Sequence, residues 1–497
     1  MKKSTLLLSI IFAGIAIAII SRHTPFGATA ATKAAVRYDF PIVFSADPPK
    51  EMALNATQEE MAAFAWNEFL ALNWKSAYVH SGKRGTPDYN WDYSVRTPNN
   101  YPDEPVVWET YAHRAELRPY SDRMQPFDSR PYYSYQLTPL PYQGADPTLF
   151  NNLDENNEIG SCDLFARVNN FGTKHKVLYQ AKTNREEYDY LFNNYPTNAR
   201  LVEATANTRR NLHMKDTSYY EGANGNTCGC PPAQKVLCLP CGGTPFGTRD
   251  TLTGAIEVKT AWRELTSRDD PYKFFLRRVI VYGKVGGFLR TMNKTYALIG
   301  IHIIHKTRNY PNFIFATFEH VDVEEDNMGY VTLDGSNGPT PKQYSRAHPI
   351  PAVIDSSTAY VHRELARRGA PNSIWKYYRL VGVQGNPTND ENSFNFFLAN
   401  YVIESDPPLS NFRGSGIDSP YNGGINSIYK GHGYSMGGCQ GCHGAGQFKL
   451  GTDCSFLMDT FGKPAKAPDP GLEGSKLQMY QKAFKNMETI EGASLKQ

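Results

Sequence analysis

Cys439, Cys442 and His443 form a C-x-x-C-H motif near the carboxyl end of this 497-residue chain. The motif constrains the fold because its three side chains must lie on one helical turn. Two thiols at this spacing can each add to one vinyl group of the same porphyrin, and the imidazole that follows can bind the iron. We therefore predict one covalent haem c, with His443 as the proximal iron ligand. A disulfide or a zinc knuckle beside a bystander histidine is the alternative.

The amino terminus has the pattern of an export signal. Lys2 and Lys3 precede the apolar run Leu6–Ile20, and Ala28–Ala30 supplies an A-x-A cleavage site. The run is shorter than the roughly 20 residues of a membrane span, so cleavage is expected and an uncleaved anchor is the alternative. No twin-arginine pair accompanies it, which favours Sec-type export. We predict a signal peptide over residues 1–30 of a bacterial protein that is periplasmic or secreted.

Composition narrows the classes of partner and function. The chain has 52 basic and 49 acidic residues, a formal net charge of +3, so nothing favours nucleic acid as a partner. No P-loop, H-E-x-x-H motif or Ser-His-Asp order supports a nucleotide enzyme or a hydrolase. No stable membrane span is expected once the signal is cleaved. The motif implies a redox partner, whose identity the sequence does not give.

Six cysteines remain once the motif is set aside, and an even number of thiols in an oxidising compartment favours up to three disulfides. These are Cys162, Cys228, Cys230, Cys238, Cys241 and Cys454. Four of them form a C-x-C-x7-C-x2-C cluster in a segment rich in Gly, Pro and Asn. Disulfides are the favoured interpretation, because the C-x-C half fits zinc spacing poorly. A four-thiolate metal site and a redox dithiol are the alternatives.

Periodicity predicts an α+β fold, with an antiparallel β-sheet body, flanking helices and long loops. A capping box formed by Thr57 and Glu60 begins a helix that extends to about Trp74. Alternating apolar residues predict four strands, at Ile256–Trp262, Phe274–Tyr282, Tyr296–His305 and Phe313–Val321. Further predicted elements are helices at Asn184–Phe192, Ser356–Arg368 and Phe394–Ile403, and a strand at Trp375–Val383.

Composition also suggests how the chain is organised. The predicted body covers residues 31–405 and includes a Cys-rich insertion near 205–250. A linker rich in Pro, Gly, Ser and Asn follows over 406–430, and a short helical cytochrome c-like haem-binding segment covers 431–497. Because so little chain surrounds the motif, we expect this segment to fold back and pack on the body.

The sequence leaves the sixth iron ligand open. Candidates are Met458, Met479 and Met487 downstream, His432 and Met436 just upstream, and His302, His305 and His320 on predicted strands. Strand alternation places His302 and His305 on opposite faces, so both cannot reach one iron. The choice bears on function, because Met/His ligation favours electron transfer at raised potential, whereas an open site permits small-molecule binding or peroxide chemistry.

Several segments carry a resemblance to a known family. They are Trp66–Trp74, Val107–Tyr111, Gly300–Thr307, Ala316–Asp322, Cys439–Gly444 and Asp453–Leu457. Together they resemble exported bacterial proteins described as cytochrome c-like, with one haem motif near the carboxyl end. The resemblance covers about residues 57–458 and implies haem attachment through the C-x-x-C-H motif. The family pattern has an aromatic residue at Cys454 and a leucine at Met458. A protein-specific disulfide is therefore open at the first position, and a shared methionine ligand is not expected at the second.

The predicted function is that of an exported mono-haem c-type cytochrome that binds haem and transfers electrons. The alternative is a haem-dependent oxidoreductase of peroxidase or oxygenase type, with the β body forming the substrate pocket and a strand histidine as acid or base. Size favours this alternative, since electron transfer alone needs only one domain of ordinary length. A binding or sensory module with an accessory haem is a third hypothesis.

Overall fold

The computed structural model describes the motif and much of the predicted body, all within the unit Tyr38–Gln497. The described residues are 38–117, 124–131, 133, 147–155, 164–167, 174–195, 197–213, 228, 235–244, 249–265, 267, 269–285, 288–325, 330–334, 338–342, 349–386, 392–395, 400, 402–403 and 438–458. The predicted signal peptide and linker lie outside them, as do Cys162, Cys230, His432, Met436, Met479 and Met487.

Eleven strands in the described chain form two antiparallel sheets. In chain order they are β1 (Ala112–His113), β2 (Leu164–Arg167), β3 (Lys174–Lys176), β4 (Leu178–Thr183), β5 (Ile256–Glu264), β6 (Leu276–Val285), β7 (Phe288–His305), β8 (Ile314–His320), β9 (Tyr330–Asp334), β10 (Gly338–Lys342) and β11 (Tyr378–Gln384). The larger sheet has seven strands in the order β1-β4-β5-β7-β8-β11, with β6 also paired to β7. The smaller sheet has the order β10-β9-β2-β3. The antiparallel sheet with helices confirms the predicted α+β class.

Helices flank the sheets. They are α1 (Gln58–Leu72), α2 (Tyr78–Ser81), α3 (Arg185–Asn194), α4 (Asn198–His213), α5 (Asp322–Glu325), α6 (Ala352–Arg367) and α7 (Gly438–Ala445). The predicted capping box at the start of α1 is confirmed. The Thr57 hydroxyl accepts from the Glu60 amide, and the Glu60 carboxylate accepts from the Thr57 amide. Together these bonds satisfy two amide groups that the first helical turn would otherwise leave without partners.

The seven-stranded sheet is covered on both faces. On one face, α1 and α6 bury an aromatic core in which Phe318 of β8 lies 5.0 Å from Trp66 and 4.3 Å from Phe69 between ring centroids. On the other face, Ile304 and Phe315 belong to an apolar cluster with side chains from α3, α4 and residues 451–458. Packing on both faces buries the apolar side chains that point to either side of the strands, as a sheet with near-continuous apolar runs requires.

Two predicted strands begin at residues other than those expected. The strand expected at Tyr296–His305 begins at Phe288, because its polar first half pairs with β6 from Leu276 to Val285. The strand expected from Trp375 begins at Tyr378, after a 3₁₀ turn over Ile374–Tyr377. Polarity concealed the first boundary, since a strand that is stabilised by a hairpin partner needs no alternating apolar face.

The helix predicted at Phe394–Ile403 is wrong for the residues described there, which lie in turns or irregular segments. Their polar side chains bond to neighbouring backbone instead. The Asn395 amide oxygen accepts from the Gly385 amide at 2.9 Å, and the Asn400 amide nitrogen donates to the Phe318 carbonyl at 2.9 Å. Such bonds compete with helical hydrogen bonding and favour irregular backbone.

Candidate functional site

The C-x-x-C-H motif lies on α7, and Gln440 within the motif anchors this helix to the sheet. Its side-chain nitrogen donates to the carbonyls of Phe313 and Gly385, both at 3.1 Å. Its backbone amide donates to the Gln384 side chain at 2.9 Å. The helix is therefore attached where β8 begins and β11 ends. Gln440 is almost fully buried, so these bonds are shielded from water.

His443 has a defined ring orientation. Its Nδ1 lies 2.6 Å from the backbone oxygen of Cys454. A carbonyl oxygen can only accept, so Nδ1 carries the proton and donates, which leaves the lone pair on Nε2. The ring contacts Phe315 and Phe456, with centroid distances of 4.7 Å and 4.9 Å. A proximal haem ligand has this arrangement, in which one nitrogen is held by a carbonyl and the other is available to a metal.

Burial keeps the histidines of this region neutral. It lowers the pKa of His443 to about 4, although the bond to the Cys454 carbonyl opposes the shift and the charge of Lys259 adds to it. Burial also lowers the pKa of His302 to about 3, with further contributions from Lys259 and His443. Neutral imidazole is the form that binds iron.

The structure describes the side chain of one motif cysteine and only the backbone of the other. Cys439 is half-buried and packs against the apolar cluster on this face of the sheet. Cys442 has its backbone in α7, but its side chain lies outside the described residues. A half-buried thiol at an apolar surface, one helical turn before a neutral histidine with a bonded Nδ1, is a donor set that fits covalent haem.

The three strand histidines have different surroundings. His305 has both ring nitrogens occupied, by the Glu68 carboxylate and by the Thr253 carbonyl, on the face covered by α1. His320 is also occupied on both sides, because Nε2 donates to the Lys273 carbonyl at 2.9 Å and Nδ1 accepts from the Asp322 amide at 3.2 Å. Neither can bind iron without losing these bonds.

His302 lies on the other face of the sheet. It pairs in register with Thr317, two residues from the Phe315 that contacts His443, so the two strands present these side chains on the same side. Its electrostatic contact with His443 agrees with that placement. The predicted separation of His302 from His305 is therefore confirmed, and His302 is the strand histidine on the side of the motif.

A buried turn over residues 451–458 supplies the carbonyl that holds His443. Asp453 and Cys454 have φ angles of 55° and 65°, a left-handed conformation that non-glycine residues rarely adopt. Gly451 is also left-handed, and a Cβ there would lie 2.1 Å from the Thr205 carbonyl of α4. Glycine is thus required for α4 to approach the turn.

Asp453 is anchored on two sides. One of its carboxylate oxygens pairs with the Nζ of Lys306 and also accepts from the Leu239 amide at 2.6 Å. Both charged side chains are fully buried. Because Asp453 immediately precedes the residue whose carbonyl binds His443, this ion pair fixes the turn against the sheet. Lys306 and Asp453 were not predicted as functional residues. The only available signals were a lysine at the end of an apolar strand and an aspartate close to the motif.

Two further carboxylates lie beside this pair. Burial raises the pKa of Glu257 to about 7, with Asp453 adding to the shift and the Ser455 hydroxyl opposing it. Burial raises the pKa of Glu187 well above its usual range, and the charge of Glu257 adds to this. Neither oxygen of Glu187 forms a hydrogen bond within the described chain. The sequence offered no signal for this pair, since Glu187 and Glu257 lie on separate elements.

The other cysteines partly follow the prediction. Cys228 and Cys241 form a disulfide with Cα atoms 5.2 Å apart, and Cys238 is also disulfide-bonded. Cys454 is a buried free thiol, so the disulfide considered at this position is not formed. Its left-handed backbone holds the thiol inside the apolar cluster instead.

Met458 is buried in the same apolar cluster as Cys454 and Leu457. Within the described residues, no group of three or more His, Cys, Asp and Glu side chains is arranged to hold a metal ion. In that same part of the chain, no helix is both long enough and apolar enough to cross a membrane.

Comparison with known proteins gives no assignment. No family model, no curated protein and no solved structure matches this chain. The function must therefore be argued from the site itself.

Proposed function

We propose that this chain is an exported mono-haem c-type cytochrome that transfers electrons, with haem c attached through Cys439 and Cys442 and His443 as proximal ligand. The observation that carries the proposal is the ring orientation of His443, whose Nδ1 donates to the Cys454 carbonyl and leaves Nε2 for a metal. Haem c at this position supplies one-electron chemistry. Export and membership of the cytochrome c-like family are parts of the same proposal.

Surrounding residues support an electron-transfer role by restricting the imidazole. Phe315 and Phe456 both pack against the His443 ring, and the Cys454 carbonyl fixes its rotation. A hydrogen bond to Nδ1 also raises the basicity of Nε2, which stabilises the oxidised metal more than the reduced metal. A ligand that keeps its geometry in both oxidation states needs little reorganisation when an electron arrives.

Covalent attachment can be tested on the mature protein produced with a haem-ligation system. Wild-type protein is expected to give a c-type pyridine haemochrome spectrum at one haem per chain. Cys442→Ser and His443→Ala are expected to lose normal haem incorporation. Cys454→Ser is the matched control, because it removes a thiol outside the motif while keeping the backbone carbonyl. Unchanged haem content in both motif variants would overturn the proposal.

Ligand binding separates the proposed cytochrome from the oxidoreductase alternative. Electron transfer predicts a low-spin ferric spectrum that carbon monoxide and cyanide leave unchanged. A high-spin spectrum with immediate carbon monoxide binding and peroxide turnover would favour the enzyme. In that case His302 is the strand histidine on the appropriate face to act as acid or base. Loss of peroxide turnover in His302→Gln, with haem content unchanged, would identify that role.

A further inference from the structure

The turn that holds His443 also contacts a buried group of charged side chains. Asp453 pairs with Lys306, the Cys454 carbonyl binds His443, and the Ser455 side chain bonds to Glu257. Residues 453–455 therefore connect His443, the proposed iron ligand, to the carboxylates of Asp453 and Glu257.

Charge is unbalanced within this group. Glu187, Glu257 and Asp453 supply three carboxylates, whereas the described residues place one fully buried cation, Lys306, and one half-buried cation, Lys259, beside them. Glu187 has no hydrogen bond to either carboxylate oxygen among the described residues, and the Thr183 hydroxyl beside it lies outside bonding geometry. Lys306 is already paired with Asp453, and Lys259 beside Glu257 is only half-buried. The two buried carboxylates Glu187 and Glu257 therefore cannot both remain ionised without a large energetic cost. A proton shared between them relieves that cost.

We propose that Glu187 and Glu257 form a proton-binding site linked to the haem, which takes up one proton from solvent when a one-electron donor reduces the iron from ferric to ferrous. The electron adds one negative charge to the iron site, and the proton on the carboxylate pair balances it. On reoxidation by an electron acceptor, the same proton returns to solvent. The inference rests on the proposed haem at His443.

The direction of coupling follows from electrostatics. Ferric iron carries one more positive charge than ferrous iron and favours the ionised carboxylate, so reduction strengthens proton binding. The elevated pKa of Glu257, about 7, places this coupling near neutral pH. Charged and titratable groups that act on the pair are Lys259 on β5, Lys306 after β7, and Asp453 and Cys454 in the turn. Tyr190 on α3 and Tyr195 after α3 lie within electrostatic range of Asp453, and Lys259 also acts on His302 and His443.

The test is a spectroelectrochemical titration of haem-loaded protein from about pH 5 to about pH 9. The midpoint potential is expected to fall as pH rises through neutrality. The fall is about 59 mV if the pair binds its proton tenfold more tightly in the reduced protein. The double variant Glu187→Gln/Glu257→Gln should lose this dependence, because both amides stay neutral. Glu68→Gln, a buried carboxylate on the opposite face, is the control and should keep it.

An infrared difference spectrum, reduced minus oxidised, tests the wild-type protein even if the double variant does not fold. Reduction should produce a protonated carboxyl C=O band. A flat wild-type potential with no such band, or a pH dependence that persists unchanged in the double variant, would overturn the inference. Haem content is measured first by pyridine haemochrome. Absence of covalent haem would refute the proposed function, whereas normal haem with a flat potential would refute only the proton linkage.

Discussion

The two faces of the seven-stranded sheet each bury an ion pair. Two adjacent residues, His305 and Lys306, each contribute one partner to these pairs. His305 pairs with Glu68 on the face covered by α1, where aromatic and aliphatic side chains surround it. Lys306 pairs with Asp453 on the face of the motif, where Glu187 and Glu257 lie close by. In the first pair both imidazole nitrogens are occupied, whereas the second Glu68 oxygen has no hydrogen bond within the described residues.

The second pair is left with excess negative charge. A buried pair whose partners satisfy each other is explained by packing and specificity alone. A buried group with excess negative charge beside a candidate iron ligand is not explained in this way. Perturbed pKa values of this kind are typical of functional sites. The comparison therefore locates function on the face that α7 and residues 451–458 cover, and assigns a structural role to the other face.

The largest expected effect comes from Lys306→Met, which leaves Asp453 buried without its cation. Breaking one side of a buried pair costs about 3 to 5 kcal/mol of unfolding free energy. Because protonation of the remaining carboxylates relieves the repulsion, the loss should be greater at about pH 8 than at about pH 5. Chemical denaturation at the two pH values measures it.

Glu68→Gln provides the contrast on the other face, because the amide still reaches His305. Its cost is expected at about 1 to 3 kcal/mol. Its pH dependence should be the smaller of the two, because Glu51 and Glu186 still act on the His305 cation. Equal pH dependence in the Lys306 and Glu68 variants would remove the proposed difference between the two faces.

A smaller effect is expected in the pH dependence of wild-type stability. The folded pKa of Glu257, about 7, lies above the unfolded value of 4.5, so the folded protein binds more protons between these values. The stability that this group contributes is fully present below about pH 4.5 and is lost as pH rises to about 7. Glu257→Gln should flatten this part of the unfolding curve. The assignment would be contradicted if wild-type stability rose between these pH values and Glu257→Gln showed the same rise.

The smallest effect is expected at Cys454. Burial raises the pKa of its thiol, so the reactive thiolate is scarce. Iodoacetamide should leave Cys454 unmodified in the folded protein at neutral pH and alkylate it after denaturation. Peptide mapping by mass spectrometry measures both states. Rapid alkylation of the native protein would show that residues 451–458 do not bury the thiol against the sheet.

Sequence patterns predicted the elements that depend on neighbouring residues. The capping box at Thr57 and the alternating residues from Ile256 to Trp262 are each encoded within a few consecutive residues, and both elements form. Helix α4 was not predicted, because its Asn, Thr and Arg residues show little apolar periodicity and it is stabilised by packing of Leu201 and Ala204.

The candidate site was predictable only in part. The motif identified Cys439, Cys442 and His443 as a set, because their chemistry lies in five consecutive residues. The Lys306–Asp453 pair joins positions 147 residues apart, so only the tertiary fold brings them together. The left-handed backbone at Asp453 and Cys454 was equally invisible, because neither residue is the glycine that usually marks this conformation.

The most direct test of the account is the haem content of the mature polypeptide after acid–acetone extraction, which removes haem that is not covalently bound. The account predicts that one haem per chain stays with the protein, gives a c-type pyridine haemochrome spectrum, and is lost in Cys442→Ser but kept in Cys454→Ser. A colourless polypeptide with Cys439 and Cys442 joined to each other would contradict it.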